Sequence, residues 1–230
     1  CSARLLRLVD HPGAGRWARR AAQLEGTLRR RAWDEGAQAW REHLDRPGAD
    51  SPYPSFLAVL AGLGPHTDGV RRAAREGRVG TPFMATSALR ALGLAGQRTA
   101  AVEQVRARWG PMLAAGPGTF WEELPRPGED PYAMYGRPFA RSLCHSWSSG
   151  PVALLPELVL GLRPLEDGWR TVAVDPELGG LGWAAAVVPT PAGELVVHAA
   201  PGRTSVEVPA GVAVRRRDGS LLAGPVRTEL

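Results

Sequence analysis

Gly118-Thr119-Phe120-Trp121-Glu122-Glu123 and, further on, Ser142-Leu143-Cys144-His145-Ser146-Trp147-Ser148-Ser149-Gly150-Pro151 are the stretches from which the rest of the chain is read. The first sets a carboxylate among aromatic rings. The second sets an imidazole and an indole among small residues. Indole faces cover the apolar faces of a sugar ring, while carboxylates and imidazoles bind its hydroxyls. A positioned carboxylate can also activate a water. These are the parts of a carbohydrate site.

In order and spacing, the two stretches closely resemble the bacterial α-L-rhamnosidases of glycoside hydrolase family 78, in which T-F/I-W-E precedes C-H-x-W-S-x-x-P. Upstream, Val79-Gly80-Thr81-Pro82-Phe83-Met84 with Ala88-Leu89-Arg90-Ala91-Leu92 is similar to the family's G-T-P helix start. Downstream, Val159-Leu160-Gly161-Leu162-Arg163-Pro164 resembles the link out of its barrel. Gly168-Trp169, Leu181-Gly182-Trp183-Ala184 and Val188-Pro189-Thr190-Pro191-Ala192-Gly193 resemble its C-terminal β-domain. The likeness is clearest over about residues 55–210, and the first fifty residues add little to it.

The resemblance implies an inverting hydrolase that releases terminal α-L-rhamnose from glycosides or polysaccharides. Glu122 would be the general base, deprotonating the water that attacks the anomeric carbon. His145 would be a sugar-hydroxyl ligand, and Trp121 and Trp147 ring platforms. Each residue also has a plainer reading: a surface cap for Glu122, a satisfied core residue for His145, barrel packing for the indoles. Glu123 is expected to face solvent or bond nearby, because the family sets the functional carboxylate directly after Trp. Phe83 and Met84 are structural or line the cleft wall. Trp109 lies on a helical stripe and belongs to the core. Cys144 is expected to be a buried small residue, since no activating pair beyond His145 is evident. No second His stands at metal-ligand spacing, so neither a metal nor a cofactor is expected.

The family's acid-bearing segment has no equivalent here. Asp34-Glu35-Gly36 is a poor substitute, in a helix-end context without the pattern. An inverting pair needs a second carboxyl group roughly 6.5–9.5 Å from the base. General acid–base catalysis contributes about 10²–10⁴-fold, so the chain alone is expected to be poorly active or inactive. Asp130, Tyr132 and Tyr135 follow the Glu122 loop, where the Pro-rich Pro125-Arg126-Pro127-Gly128 departs from the family. Asp50-Ser51-Pro52-Tyr53-Pro54 lacks the polar pattern of many relatives.

Hydrophobic residues make up 44% of the 230, enough for a packed core, and no apolar run approaches the roughly 20 residues of a membrane span. The net charge of +5 rests on arginine alone: Lys, Ile and Asn are absent, a bias that suits a GC-rich coding sequence. Arg29-Arg30-Arg31 and Arg215-Arg216-Arg217 are short runs of the kind found on solvated faces, so no nucleic-acid partner is expected. Two cysteines make no disulfide framework. They fit the cytoplasm without excluding secretion. Ser2-Ala3-Arg4-Leu5-Leu6-Arg7 carries charges through its apolar stretch, so no signal peptide is expected.

Working outward, Trp17, Ala21, Leu24 and Leu28 recur at helical spacing, as do Phe56, Val59, Leu60 and Leu63 behind Pro52 and Pro54. Thr81-Pro82 reads as an N-cap with Pro in the first turn, with Met84, Ala88 and Leu92 on one face. Val102, Val105, Trp109 and Leu113 define a helix ended by Gly116-Pro117-Gly118. Pro151–Leu162 gives the last, with Val152, Leu155, Leu158, Val159 and Leu162 as its buried stripe. No strand signal precedes Pro164. Beyond it, residues 171–174, 184–188, 194–199, 204–208 and 212–215 read as strands between Pro/Gly turns.

The expected architecture is mainly α with a C-terminal all-β domain. Residues 1–163 would form helical hairpins, by resemblance part of an (α/α)6 barrel, and residues 164–230 a small antiparallel β-sandwich rigidly joined to it. A complete barrel needs more helices than this chain offers. The missing half is expected before Cys1, in the same or another chain. Two rival readings remain: a non-catalytic carbohydrate-binding or scaffold module using the same half-site, and a basic protein that binds nucleic acid.

Overall fold

The computed structural model of the chain describes residues 2–45, 51–64, 67–76, 79–124, 130, 132 and 141–230. It consists of two compact units, Cys1–Arg78 and Val79–Leu230.

In the first unit, α1 (Ser2–Leu8) packs on α2 (Ala14–Ala32). The spacing predicts the α2 helix but not its environment. Trp17, Ala21 and Leu24 are exposed, Leu28 is half-buried, and only Ala32 is fully buried. Next comes a hairpin that sequence reading missed, β1 (Trp33–Asp34) and β2 (Ala39–Trp40). Strands of two residues are too short for alternation to register. Side chains tie it instead. Asp34 Oδ1 accepts the Ala37 amide at 2.9 Å and Oδ2 accepts Arg41 Nε at 3.0 Å. The Trp33 and Trp40 rings meet edge-on at 5.4 Å. Asp34-Glu35-Gly36 therefore follows the end of α2, as expected, and enters a hairpin turn. α3 (Tyr53–Leu60) starts behind Pro52, buries Phe56 and Val59 as predicted, and stops at Gly62 with φ +76°. α4 (Asp68–Glu76) completes the unit.

The second unit begins with α5 (Pro82–Leu94). Thr81 Oγ1 accepts the Met84 amide at 3.3 Å, and Pro82 has no N–H to satisfy. α5, α6 (Arg98–Ala115) and α7 (Gly150–Val159) pack on one another. Val102, Val105 and Trp109 are buried on α6 as predicted, but Leu113 is 74% exposed and Met112 takes its place in the core. On α7 the predicted stripe fails at its start. Val152 is 67% exposed and Leu155 is exposed, while Leu154 is buried. α7 is apolar nearly all round, so periodicity could not select its inner face. Packing selects it: a Cβ on Gly93 would stand 2.4 Å from Leu158 Cδ2, so glycine admits α7 by that side.

The described strands of this unit form two sheets. One has the order β10-β7-β6-β5 and contains β5 (Ala184–Thr190), β6 (Gly193–Ala200), β7 (Arg203–Val208) and β10 (Val226–Glu229). The other has the order β3-β4-β8-β9 and contains β3 (Arg163–Pro164), β4 (Thr171–Ala173), β8 (Ala213–Arg215) and β9 (Leu221–Ala223). All five predicted strands are present; β3, β9 and β10 were not foreseen. β4 and β8 run parallel, which breaks the expected antiparallel arrangement at one pair. The intervening chain crosses the other sheet and returns β8 in the direction of β4, and strand direction leaves no mark in a hydrophobic pattern. Leu195, Val197 and Ala199 alternate inward on β6, meeting Val172 and Val214 of the other sheet in one core.

Helices and strands of this unit are clamped together. Gly161 has φ +64°, and a Cβ there would lie 2.3 Å from the Asp175 carbonyl oxygen. The Asp175 and Glu177 amides donate to the Leu160 and Val159 carbonyls at 3.0 and 2.8 Å. Arg98, at the start of α6, donates to the Asp175 carbonyl at 2.7 Å and to Glu177 Oε2 at 3.0 Å. Glu177 Oε1 accepts the Thr99 amide at 3.1 Å and its hydroxyl at 2.7 Å. Partial burial by itself raises the Glu177 carboxyl. The hydrogen bonds from Thr99 and Arg98 and the Arg98 charge together outweigh burial and hold it below the usual glutamate range.

Candidate functional site

α6 ends where Gly116 turns the chain out of the helix. A Cβ at Gly116 would stand 2.2 Å from Trp121 Cζ2, so the indole can fold onto the helix end only because glycine is there. Trp121 is 5% exposed as a result. Gly118, at φ +75°, supplies the left-handed residue of the turn.

The two motif stretches are zipped together. The Glu122 amide donates to the Ser142 carbonyl at 2.9 Å, and the His145 amide to the Phe120 carbonyl at 2.8 Å. Thr119 Oγ1 donates to the Leu143 carbonyl. The Glu122 carboxylate closes the same link, with Oε2 accepting the Ser142 amide at 2.8 Å. Among the described residues Oε1 makes no hydrogen bond, and Glu122 is only half-buried, so one oxygen stays available to a water. Glu123 pairs with Arg141 Nη1 at 3.0 Å, the nearby partner expected of it.

After His145 the chain makes a single 3-10 turn, Ser146–Ser148. The His145 and Trp147 rings lie 4.5 Å apart at 54°. Phe83, from the first turn of α5, stacks with Trp147 at 6.1 Å and 29°. Trp147 is 45% exposed. The turn is anchored from beneath. Trp109 Nε1 donates to the buried Ser148 carbonyl at 3.0 Å, which makes Trp109 a core residue as predicted. A Cβ on Gly150 would stand 1.9 Å from Thr86 Oγ1, so this glycine seats the turn on α5.

The structure thus gathers Glu122, His145 and Trp147 onto one hydrogen-bonded pair of loops. It places Trp121 beneath them, where burial favours the packing role. Cys144 is exposed, contrary to expectation, because Leu143 takes the buried position and Ser142 Oγ bonds the amide and carbonyl of Cys144 in an outward turn. Ser142 and Arg141 escaped the sequence reading, since each acts through a loop-to-loop bond that has no local signature. Asp130 Oδ1 accepts the Tyr132 amide at 2.9 Å. Pro125–Gly128 and Tyr135 lie outside the described residues. Among the described residues, no group of three or more His, Cys, Asp or Glu could hold a metal ion, and no helix is long and apolar enough to cross a membrane.

Residues 161–215 match the family model of the bacterial alpha-L-rhamnosidase C-terminal domain. The crystal structure of the GH78 family rhamnosidase of Bacillus sp. GL1 is 27% identical, with a TM-score of 0.63 over 90% of this chain and 23% of that one. The chain resembles the C-terminal portion of a family 78 α-L-rhamnosidase. Two further rhamnosidases share the fold of this rhamnosidase-like chain. The Streptomyces avermitilis enzyme, complexed with L-rhamnose, is 18% identical, with a TM-score of 0.69 over 93% of this chain and 22% of that one. The Dictyoglumus thermophilum enzyme is 16% identical, with a TM-score of 0.71 over 93% and 25%. The rhamnosidase-like chain spans about a quarter of the length of these structures, at 23%, 22% and 25%. No curated protein matches it significantly. Its relationship is to the glycoside hydrolases.

Proposed function

We propose that the chain is part of an inverting glycoside hydrolase that releases terminal α-L-rhamnose, with Glu122 as general base. The carrying observation is the link between the two motif stretches. It holds one Glu122 oxygen on the Ser142 amide, leaves the other for a water, and sets His145 and Trp147 on the same pair of loops. A carboxylate fixed in this way keeps its orientation while its free oxygen takes a proton from water. The half-exposed Trp147 indole, braced by Phe83, offers the ring platform, and His145 beside it a hydroxyl ligand. Trp121 supports the loop from below. Residues 1–163 would be the C-terminal part of an (α/α)6 barrel and residues 164–230 a β-sandwich. The rest of the barrel, in the same or another chain, would bring the general acid.

On this reading the chain alone binds L-rhamnose and does not turn over an aryl α-L-rhamnoside. Titration calorimetry and a release assay on the purified chain test it. Trp147→Ala and His145→Ala should each weaken rhamnose binding about tenfold or more, near 1.4 kcal/mol. Measurable turnover would overturn the assignment of the acid to another segment. Failure to prefer rhamnose over glucose would overturn the substrate. Saturable binding in a protein that stays inactive once the remaining barrel is supplied would leave a carbohydrate-binding module instead.

A further inference from the structure

A cavity of about 700 Å³ lies in the β-rich part of the second unit and shares no lining residue with the site above. Val174, Leu178 and Leu181 give it an apolar side, and Arg203, Arg216 and Arg217 give it a cationic one. Two of these arginines are already paired, Arg217 with Asp175 at 3.0 Å and Arg203 with Glu229 at 2.6 Å. Arg216 is not. Among the described residues its side chain makes no hydrogen bond or ion pair, and its Nε is buried without an acceptor.

The carboxylates that line the cavity do not fill that vacancy. Asp175 is shared by Arg98 and Arg217. Asp218 accepts the Ser220 amide at 2.9 Å and its hydroxyl at 2.7 Å, and it feels the Arg216 charge without bonding to it. Nε itself is closed to solvent, but Nη1 and Nη2 of this half-buried, cavity-lining arginine are not, and a planar carboxylate from a ligand would pair with them in the geometry guanidinium prefers.

A second feature stands at the same end of the sheet. Trp183 is 65% exposed, and its indole lies parallel to the His198 ring, at 6.0 Å and 6°. Ala184 pairs with Ala199, so Trp183 comes level with Ala200, which lines the cavity together with the Pro201-Gly202-Arg203 turn. The core does not account for so exposed an indole, and a flat aromatic face is the surface a pyranose ring covers.

We propose that this cavity and the Trp183 face bind an acidic saccharide, with a uronate carboxylate on Arg216 and an adjoining sugar ring on Trp183. The saccharide nature of the ligand rests on the carbohydrate reading above; the residues involved are different. Titration calorimetry of the full chain with tri-galacturonic acid and with neutral galactotriose tests it. The acidic trimer should bind at low salt and weaken as salt rises, and the neutral one should not bind here. Arg216→Gln should weaken the acidic trimer about tenfold or more. Trp183→Ala, at an exposed position that leaves the fold intact, should weaken it several-fold. Absence of binding, equal binding of both trimers, or full affinity in either variant would overturn the proposal. Trp147→Ala and His145→Ala should leave uronate binding unchanged. Loss of rhamnose binding with uronate binding retained would therefore sink only the rhamnosidase reading, and the converse only this one.

Discussion

Trp121 and Trp147 belong to the same pair of motifs, yet one side chain is buried and the other half open. Neighbouring small residues make the difference. Gly116 has no side chain where the Trp121 ring lies, so that indole drops onto the end of α6. Trp147 sits on a 3-10 turn that Trp109 holds through the buried Ser148 carbonyl, and its half-exposed ring leans on Phe83 and His145. The two truncations should therefore separate stability from binding. Trp121→Ala empties a buried indole site and should cost about 3–5 kcal/mol. Trp147→Ala, half in solvent, should cost less than about 1 kcal/mol and show itself in sugar binding. Urea unfolding of the two variants beside the parent checks this. Near-equal stability losses would place Trp147 in the core rather than in a site.

Among the elements, the join between α6 and the 175–177 segment depends most on protonation. The Glu177 carboxyl is held below its ordinary value, so its contribution is present above the unfolded-state pKa of about 4.3 and lost as pH falls through the lower folded value. Glu177→Gln should lower the melting temperature at neutral pH, and the gap to the parent should close as pH falls below the unfolded-state value of about 4.3 and through the lower folded one. Thermal melts across that range measure it, and a gap that persists in acid would mean the carboxylate charge does not matter there. The same elements show where reading by pattern succeeds. Thr81-Pro82 starts α5 as predicted because a cap and its helix lie within a few residues of each other. The β5, β6 and β7 strands are legible because one face of each packs on the core, half-buried on β5 and with buried residues on β6 and β7, which leaves a period of two. The β1–β2 hairpin and β9 were too short to carry a period, and the inner side of α7 is set by Gly93, far away in the sequence.

Taken whole, the molecule exposes more apolar surface than its hydrophobic patterns predict. In the first unit Leu5, Leu8, Val9, Trp17 and Leu24 are exposed. In the second, Leu113, Val152 and Leu155 line an apolar groove of about 470 Å³ between α6 and α7. Contiguous apolar surface of this kind binds hydrophobic dyes while the fold is intact. The native chain should enhance 1-anilinonaphthalene-8-sulfonate fluorescence, and Leu113→Glu combined with Val152→Glu should remove roughly half of that signal with little change in melting temperature. Unchanged fluorescence in the double variant would mean that the groove is not what the dye reads.

The sequence by itself determined what is local. It set the division into helices and then strands, the Thr81 cap, the Gly116 stop, and the two motif stretches that carry its resemblance to family 78. Each depends on residues within a turn or two of one another, or on a pattern that survives without knowledge of neighbours. Tertiary structure alone decided that the Glu122 carboxylate would rest on the Ser142 amide, that Trp121 would be buried and Cys144 exposed, and that β8 would run parallel to β4. It also decided that Arg216 Nε would be buried without an acceptor among the described residues. Those outcomes depend on which distant segment arrives at a given place, and on whether a glycine there leaves it room.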